Sequence, residues 1–186
     1  VHQSGQHLLA LINDILDFSK ITAKKLHLDP QNFDLIQFLT DVARVFQFRA
    51  QQKDLEFKLA ISSSIPAFVK ADSTRLRQVL YNLLSNAVKF TETGSVTLTV
   101  SKLADEKATY PYSYHSIRFQ IEDTGIGIPT DKLTEIFTPF GQLNGSAGNH
   151  EGSGLGLTIS QEIIQLMNSS IQLKSQVDRG SKFYFD

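Results

Sequence analysis

The stretch DSTRLRQVLYNLLSNAVKF, residues 72–90, constrains the fold more than any other part of the chain. On a wheel of about 100° per residue, Leu76, Val79, Leu80, Leu83, Leu84, Ala87, Val88 and Phe90 cover one half. A helix with so wide an apolar face must lie on a sheet or on other helices. Arg75, Gln78, Asn82, Ser85, Asn86 and Lys89 share the other half, within a sector of about 100°. A solvated face ordinarily carries Glu–Lys pairs. This one carries amides, separated cations and no acid, although asparagine costs a helix about half a kcal/mol or more relative to alanine. Amide oxygens ligate hard cations, amide nitrogens donate hydrogen bonds, and a lysine adds a point charge suited to phosphate. The face is therefore either solvated surface or the lining of a polyanion pocket.

The surrounding pattern supplies the layers. From about His2 to Leu26, Leu8, Leu11, Ile12, Ile15 and Phe18 recur at helical spacing as one apolar stripe. DPQNFDL breaks that pattern at Pro30, and a second helix follows with Leu35, Phe38, Leu39, Val42, Val45 and Phe46. LEFKLAI (55–61) alternates as a strand does, and AFVKA after Pro66 is a short one. Asp72 is placed to cap the third helix, and Thr93-Gly94 to end it. VTLTVSKL (96–103), IRFQIED (117–123), IQLKSQ and KFYFD alternate again, and a last helix is expected from about Leu155 to Met167. DEKATYPYSYHS reads as a polar, Tyr-rich connection without assignable chemistry. Together these elements predict an α/β two-layer sandwich, one mixed β-sheet with helices on one face, preceded by a long N-terminal helix.

A chain of 186 residues suffices for one compact domain and an appendage. The net charge of −1 gives no electrostatic reason to expect nucleic acid or an anionic membrane as partner. The absence of cysteine excludes disulfides and thiolate metal sites. No apolar run approaches the ~18 residues of a membrane span, and VHQSGQHLL is not a signal peptide but resembles the interior of a helix. The chain is thus expected to be a fragment of a longer protein.

Two glycine clusters precede the body of the last helix. DTGIGIP (123–129) follows a strand directly, and Gly125 and Gly127 permit positive φ or close backbone approach. A plain Gly-Pro turn explains the same residues, and a single Asp-Thr-Gly is weak evidence for an aspartic protease. GSGLGL (152–157) precedes a helix whose N-terminal N–H groups can receive phosphate oxygens. It is neither a dinucleotide fingerprint nor a Walker A loop. The preceding GQLNGSAGNHE is long enough to be a lid or a disordered segment.

Taken in order, NLLSNAVKF, DTGIGIP, IFTPFGQ and GSGLGL resemble the N, G1, F and G2 boxes of sensor histidine kinases. DRGSKFYF resembles the family's final glycine motif, and HLLALINDILDFSKI resembles the second helix of the kinase dimerisation hairpin. The resemblance implies a fold of the GHKL (Bergerat) type over residues 29–186, with residues 1–28 as part of the dimerisation and histidine-phosphotransfer hairpin. It implies ATP and Mg²⁺ as ligands. Asn86 would coordinate Mg²⁺, and Asn82 and Lys89 would contact phosphate or complete the metal's shell. Asp123 would accept a hydrogen bond from the adenine amino group. Gly125, Gly127 and Ile128 would lie against the base. Gly152, Gly154, Leu155 and Gly156 would hinge the lid and offer N–H groups to the phosphates. Phe137 and Phe140 would anchor the lid's base to the core. The implied partners are an upstream helix bearing the phosphoacceptor histidine, a response-regulator receiver domain and a second copy of the full-length chain. The implied location is cytoplasmic.

Related ATP hydrolases keep a glutamate four residues before the metal-binding asparagine. Here Asn82 stands there, and an amide cannot act as a general base near neutral pH. Transfer to a protein acceptor is therefore favoured, with a GHKL-type ATPase or a nucleotide-responsive module without transfer as alternatives. The Glu-Leu-Arg-Thr-Pro context of a phosphoacceptor is missing around His2, His7, His27, His115 and His150. His2 and His7 are expected on the surface. The lid departs from the family pattern, with only His150 and Glu151 ionisable between Gly141 and Gly156. The cation that meets the transferring phosphoryl would then be Lys89, Arg75, His150 or a group outside the chain.

Overall fold

A computed structural model describes residues 2–103, 116–141 and 154–186. The Tyr-rich connection with His115, and the stretch holding His150, Glu151 and Gly152, lie outside the described residues, as do the side chains of His2 and His7. In chain order the elements are α1 (His2–Thr22), β1 (Gln31–Asp34), α2 (Leu35–Gln51), β2 (Glu56–Ile61), β3 (Phe68–Ala71), α3 (Ser73–Phe90), β4 (Ser95–Lys102), β5 (Ile117–Asp123), α4 (Gly156–Leu166), β6 (Gln172–Gln176) and β7 (Gly180–Phe185). Short 3-10 turns at Thr130–Lys132 and Glu135–Phe137 lie between β5 and α4.

The main sheet is mixed and five-stranded, in the order β2-β4-β5-β7-β6. β2 and β4 pair in parallel, because α3 crosses over between them, and the remaining pairs are antiparallel. Val96, Leu98 and Val100 of β4 and Ile121 of β5 point into the core with Phe183 and Phe185 of β7. The apolar half of α3 and the buried residues of α2 and α4 join the same cluster. Phe90 departs from the wheel, since it is only half-buried.

DPQNFDL is more than a break. Its Gln31–Asp34 portion forms β1, paired antiparallel with β3 through Phe33 opposite Val69, so a small two-stranded sheet accompanies the main one. Phe33 meets Phe38 of α2 with ring centroids 5.2 Å apart. The strand ends where Asp34 caps α2, its Oδ1 accepting from Gln37 N at 2.9 Å. At the other end, α3 stops at Phe90 because Thr91 is already extended, ahead of Thr93-Gly94.

Helix α1 presents two faces where the sequence suggests one stripe. Leu11, Asp14, Asp17, Phe18 and Ile21 are half-covered, whereas Leu9, Ile12, Ile15 and Leu16 are exposed. The inward face is therefore partly acidic. Among the described residues no helix is long and apolar enough to cross a membrane.

Asp72 ties these parts together. It is buried, its Oδ1 accepts from Arg75 N at 3.0 Å, and its Oδ2 accepts from Asp29 N at 2.9 Å. One carboxylate thus starts α3 and fixes the segment that follows α1. Asp72→Ala is expected to lower the unfolding free energy by about 1–2 kcal/mol in urea titrations, as for a lost N-cap. Asp72→Asn retains one acceptor and presents a donor to the other N–H, so it should recover only part of that loss. Wild-type stability in both variants would contradict the double-acceptor role.

Candidate nucleotide site

The polar face of α3 is divided along its length. At the start, Arg75 Nη1 donates to Asp17 Oδ2 of α1 at 2.9 Å and to Gln78 Oε1 at 2.7 Å. Gln78 Nε2 also donates to Asp17 Oδ2, at 2.8 Å. The ion pair is well covered, with side chains 20% and 15% exposed. Arg75 is therefore committed to holding α1, which removes it as a candidate for the phosphoryl group. One turn on, Asn82 Nδ2 donates to Ser160 Oγ of α4 at 2.9 Å. Gly156 sits so close that a Cβ there would collide with the Asn82 amide.

Further along, Asn86 is half-buried and its side chain forms no hydrogen bond with a described residue. Its amide is available to a ligand. Lys89 Nζ lies 4.9 Å from the centroid of the Phe90 ring. The last carbonyls of α3 are satisfied by Lys53, whose Nζ donates to Val88 O at 2.9 Å and Lys89 O at 3.1 Å.

Strand β5 delivers Asp123 beneath this helix. The residue is only 7% exposed, and its Oδ1 accepts from Gly125 N at 2.9 Å and Ser181 N at 3.3 Å. Oδ2 takes no hydrogen bond from a described residue, and among the described residues no buried side-chain oxygen lacks a partner, so Oδ2 keeps access to solvent. Burial pushes the carboxyl above its ordinary range, the two N–H donors pull it back, and the neighbouring Glu122 adds to the rise. The result is a carboxylate fixed by one oxygen and open at the other.

The glycines after Asp123 serve contacts within the protein. A Cβ at Gly125 would strike the carbonyl of Phe90, and one at Gly127, where φ is +67°, would strike the carbonyl of Gln176. Ile126 N donates to Phe90 O at 3.3 Å and Ile128 N to Ser175 Oγ at 2.7 Å. The Ile128 N–H is thus already engaged, and its side chain packs against the core.

Helix α4 begins at Gly156 without a side-chain cap, which leaves N-terminal N–H groups for a ligand. Leu155 is 1% exposed, so only its backbone could face one. Phe140 N donates to Gly154 O at 3.1 Å, closing the base of the loop between them. Phe137 packs against the core, and its carbonyl accepts from Thr158 Oγ1 at 3.0 Å. Phe140 differs from the expected anchor: it is 66% exposed, and its ring meets Phe18 of α1 at 6.4 Å.

A cavity of about 270 Å³ opens above Asn82, lined by Asp14, Gln78, Tyr81, Ser85, Ser160 and Arg49 among others. The fold thus brings Asn82, Asn86 and Lys89 onto one helix face, with Gly154, Leu155 and Gly156 at the adjoining end of α4 and Asp123 on the sheet side. Gly152 lies outside the described residues. Sequence reading missed Ser160, Ser181, Asp17 and Arg49. Among the described residues no group of three His, Asp or Glu side chains could hold a metal, so a cation here would draw on amide oxygens, water and a bound ligand. The amide oxygen of Asn86 and the open N-terminus of α4 fit a metal–phosphate ligand of that kind.

Residues 71–186 match the family described as histidine kinase-, DNA gyrase B-, and HSP90-like ATPase. Over 186 residues the chain is 40% identical to the signal transduction histidine-protein kinase BarA of Escherichia coli (strain K12), covering 100% of this chain and 20% of that one. Over 184 residues it is 38% identical to hybrid signal transduction histidine kinase B of Dictyostelium discoideum, covering 98% of this chain and 9% of that one. The chain therefore spans a fifth or less of these relatives. The crystal structure of full-length ShkA in complex with AMPPNP superposes with a TM-score of 0.82 at 36% identity, covering 98% of this chain and 36% of that one. The chain belongs to the histidine kinase-, DNA gyrase B- and HSP90-like ATPase family, and within it to the catalytic domains of two-component sensor histidine kinases.

Proposed function

We propose that this domain binds ATP with Mg²⁺ and supports transfer of the γ-phosphoryl group to a histidine on a helix outside the chain, for relay to a response-regulator aspartate. The observation that carries the reading is Asp123, a buried carboxylate held by Gly125 and Ser181 with its second oxygen open. Such an acceptor suits the exocyclic amino group of adenine and disfavours the carbonyl of guanine. Asn86 offers the hard oxygen donor that Mg²⁺ prefers, and phosphate oxygens and water would complete the shell. Lys89 and the N-terminus of α4 would face the phosphates.

Asn82 favours transfer over hydrolysis. Its amide, bonded to Ser160, cannot take a proton from water. Phosphoryl transfer depends mainly on positioning and charge stabilisation, so the domain needs no nucleophile of its own. Residues 1–28 are read as the second helix of a dimerisation hairpin and residues 29–186 as the catalytic domain. The exposed Leu9, Ile12, Ile15 and Leu16 suit the core of a homodimeric bundle. Dependence on ATP puts the domain on the cytoplasmic side, with no nucleic-acid or membrane contact of its own.

Fluorescent-ATP titration is expected to show saturable, Mg²⁺-dependent binding, with Asn86→Ala removing the Mg²⁺-dependent part. The isolated chain should incorporate no stable phosphate on histidine. A wild type that binds no adenine nucleotide in Mg²⁺ would sink the reading.

Asp123→Asn separates binding from folding. The amide oxygen still accepts from Gly125 and Ser181, and the buried charge is gone. A carboxyl raised on folding contributes stability below its unfolded pKa and loses it as pH rises through the folded value. The variant's thermal midpoint at neutral pH should therefore match or exceed the wild type's, with the gap closing towards acid. Its ATP affinity should fall about tenfold or more, since a hydrogen bond to a charged acceptor contributes about 1.5–3 kcal/mol. Unchanged affinity would remove Asp123 from the site.

A further inference from the structure

A triphosphate needs positive charge near its outermost phosphate, yet the sequence between Gly141 and Gly156 contains neither lysine nor arginine. Most cations around α3 already have other tasks. Arg75 is paired with Asp17, and Lys53 caps the last carbonyls of α3. Arg77 lies 4.6 Å over Phe38, near the start of α3, and Lys89, read above as facing the phosphates, lies over Phe90 and does not line the cavity.

Arg49 stands apart from these. It occupies the last turn of α2, and its guanidinium carbon lies 5.2 Å from the centroid of the Phe46 ring. Phe46 is fully buried and meets Tyr81 edge-on at 5.1 Å, so the platform beneath the guanidinium is fixed. Among the described residues the Arg49 side chain forms no ion pair and no hydrogen bond. It lines the same cavity of about 270 Å³ as Asn82, Ser85, Ser160 and Gly156. Asp14 lines that cavity from α1, so the end suited to an anion lies on the α2–α3–α4 side.

We propose that Arg49 binds the γ-phosphate and so distinguishes ATP from ADP, supplying from α2 the cation that the lid sequence lacks. This rests on the nucleotide-binding reading above. A guanidinium offers a planar fork of donors that matches phosphate oxygens, and one resting on an aromatic face loses less freedom on binding than a solvated one. Asn82 and Ser85 border the same space and can donate to the remaining oxygens.

The test is calorimetric titration of this chain with Mg²⁺-ADP and with a Mg²⁺-bound ATP analogue whose β–γ bridge is nitrogen. The wild type should prefer the triphosphate. Arg49→Ala should lower triphosphate affinity about tenfold, or about 1.4 kcal/mol, with ADP affinity nearly unchanged. Arg49→Lys should recover part of the preference, because a point charge replaces the fork. Three results would overturn the proposal: equal losses for both nucleotides, which mark a packing role; no loss for either; or a wild type without triphosphate preference. A wild type that binds neither nucleotide defeats the nucleotide reading itself, and the proposal with it. That failure is visible before any variant is made.

Discussion

The arrangement depends on backbone meeting backbone beneath the C-terminal end of α3. The loop after Asp123 is wedged between the Phe90 carbonyl on one side and the β6–β7 hairpin on the other. Side chains at Gly125, Gly127 or Gly180 would force these segments apart, Gly180 because it lies against the carbonyl of Asp123 itself. Glycine at these positions is a condition for closure between a helix, a loop and a sheet. Since Asp123 is held by amides from both sides of that junction, its carboxylate cannot be positioned independently of it.

Electrostatics follow from this geometry. The polar face of α3 contains no acid of its own, and the acid that neutralises part of it, Asp17 of α1, pairs at its start with Arg75 and Gln78. The cations near it are stationed by local chemistry. Lys53 answers the carbonyl end of α3, and Arg49 rests on a ring whose own position is fixed by the core. Charge is concentrated where a polyanion could replace water, with few competing partners in the fold.

Much of this was legible in the sequence, for definite reasons. Helix α3 declared itself because apolar burial imposes its period, and β4 because its residues alternate between core and surface. Asp123 stood out as the last residue of an alternating strand followed by glycines. Strand β1 did not, because it has a single apolar residue and gains its partner from β3, beyond a whole helix. The two faces of α1 were equally hidden: Asp14 and Asp17 look like solvated acids until Arg75 and Gln78 are seen opposite Asp17. Ser160 and Arg49 carry no local signal, since their surroundings come from other elements.

The attachment of α1 to α3 has a physical consequence of its own. What joins them there is a shared carboxylate oxygen, a guanidinium and an amide. Groups of this kind exchange a protein partner for water at small net cost, about 0.5–1.5 kcal/mol for an ordinary hydrogen bond and more where charge is involved. If the two helices part, the groups of that contact are wettable, and the apolar surface uncovered with them is that of Phe18 and Ile21 on the same face of α1. The joint behaves as a latch whose open form water tolerates, while its covered ion pair feels salt less than an exposed one would.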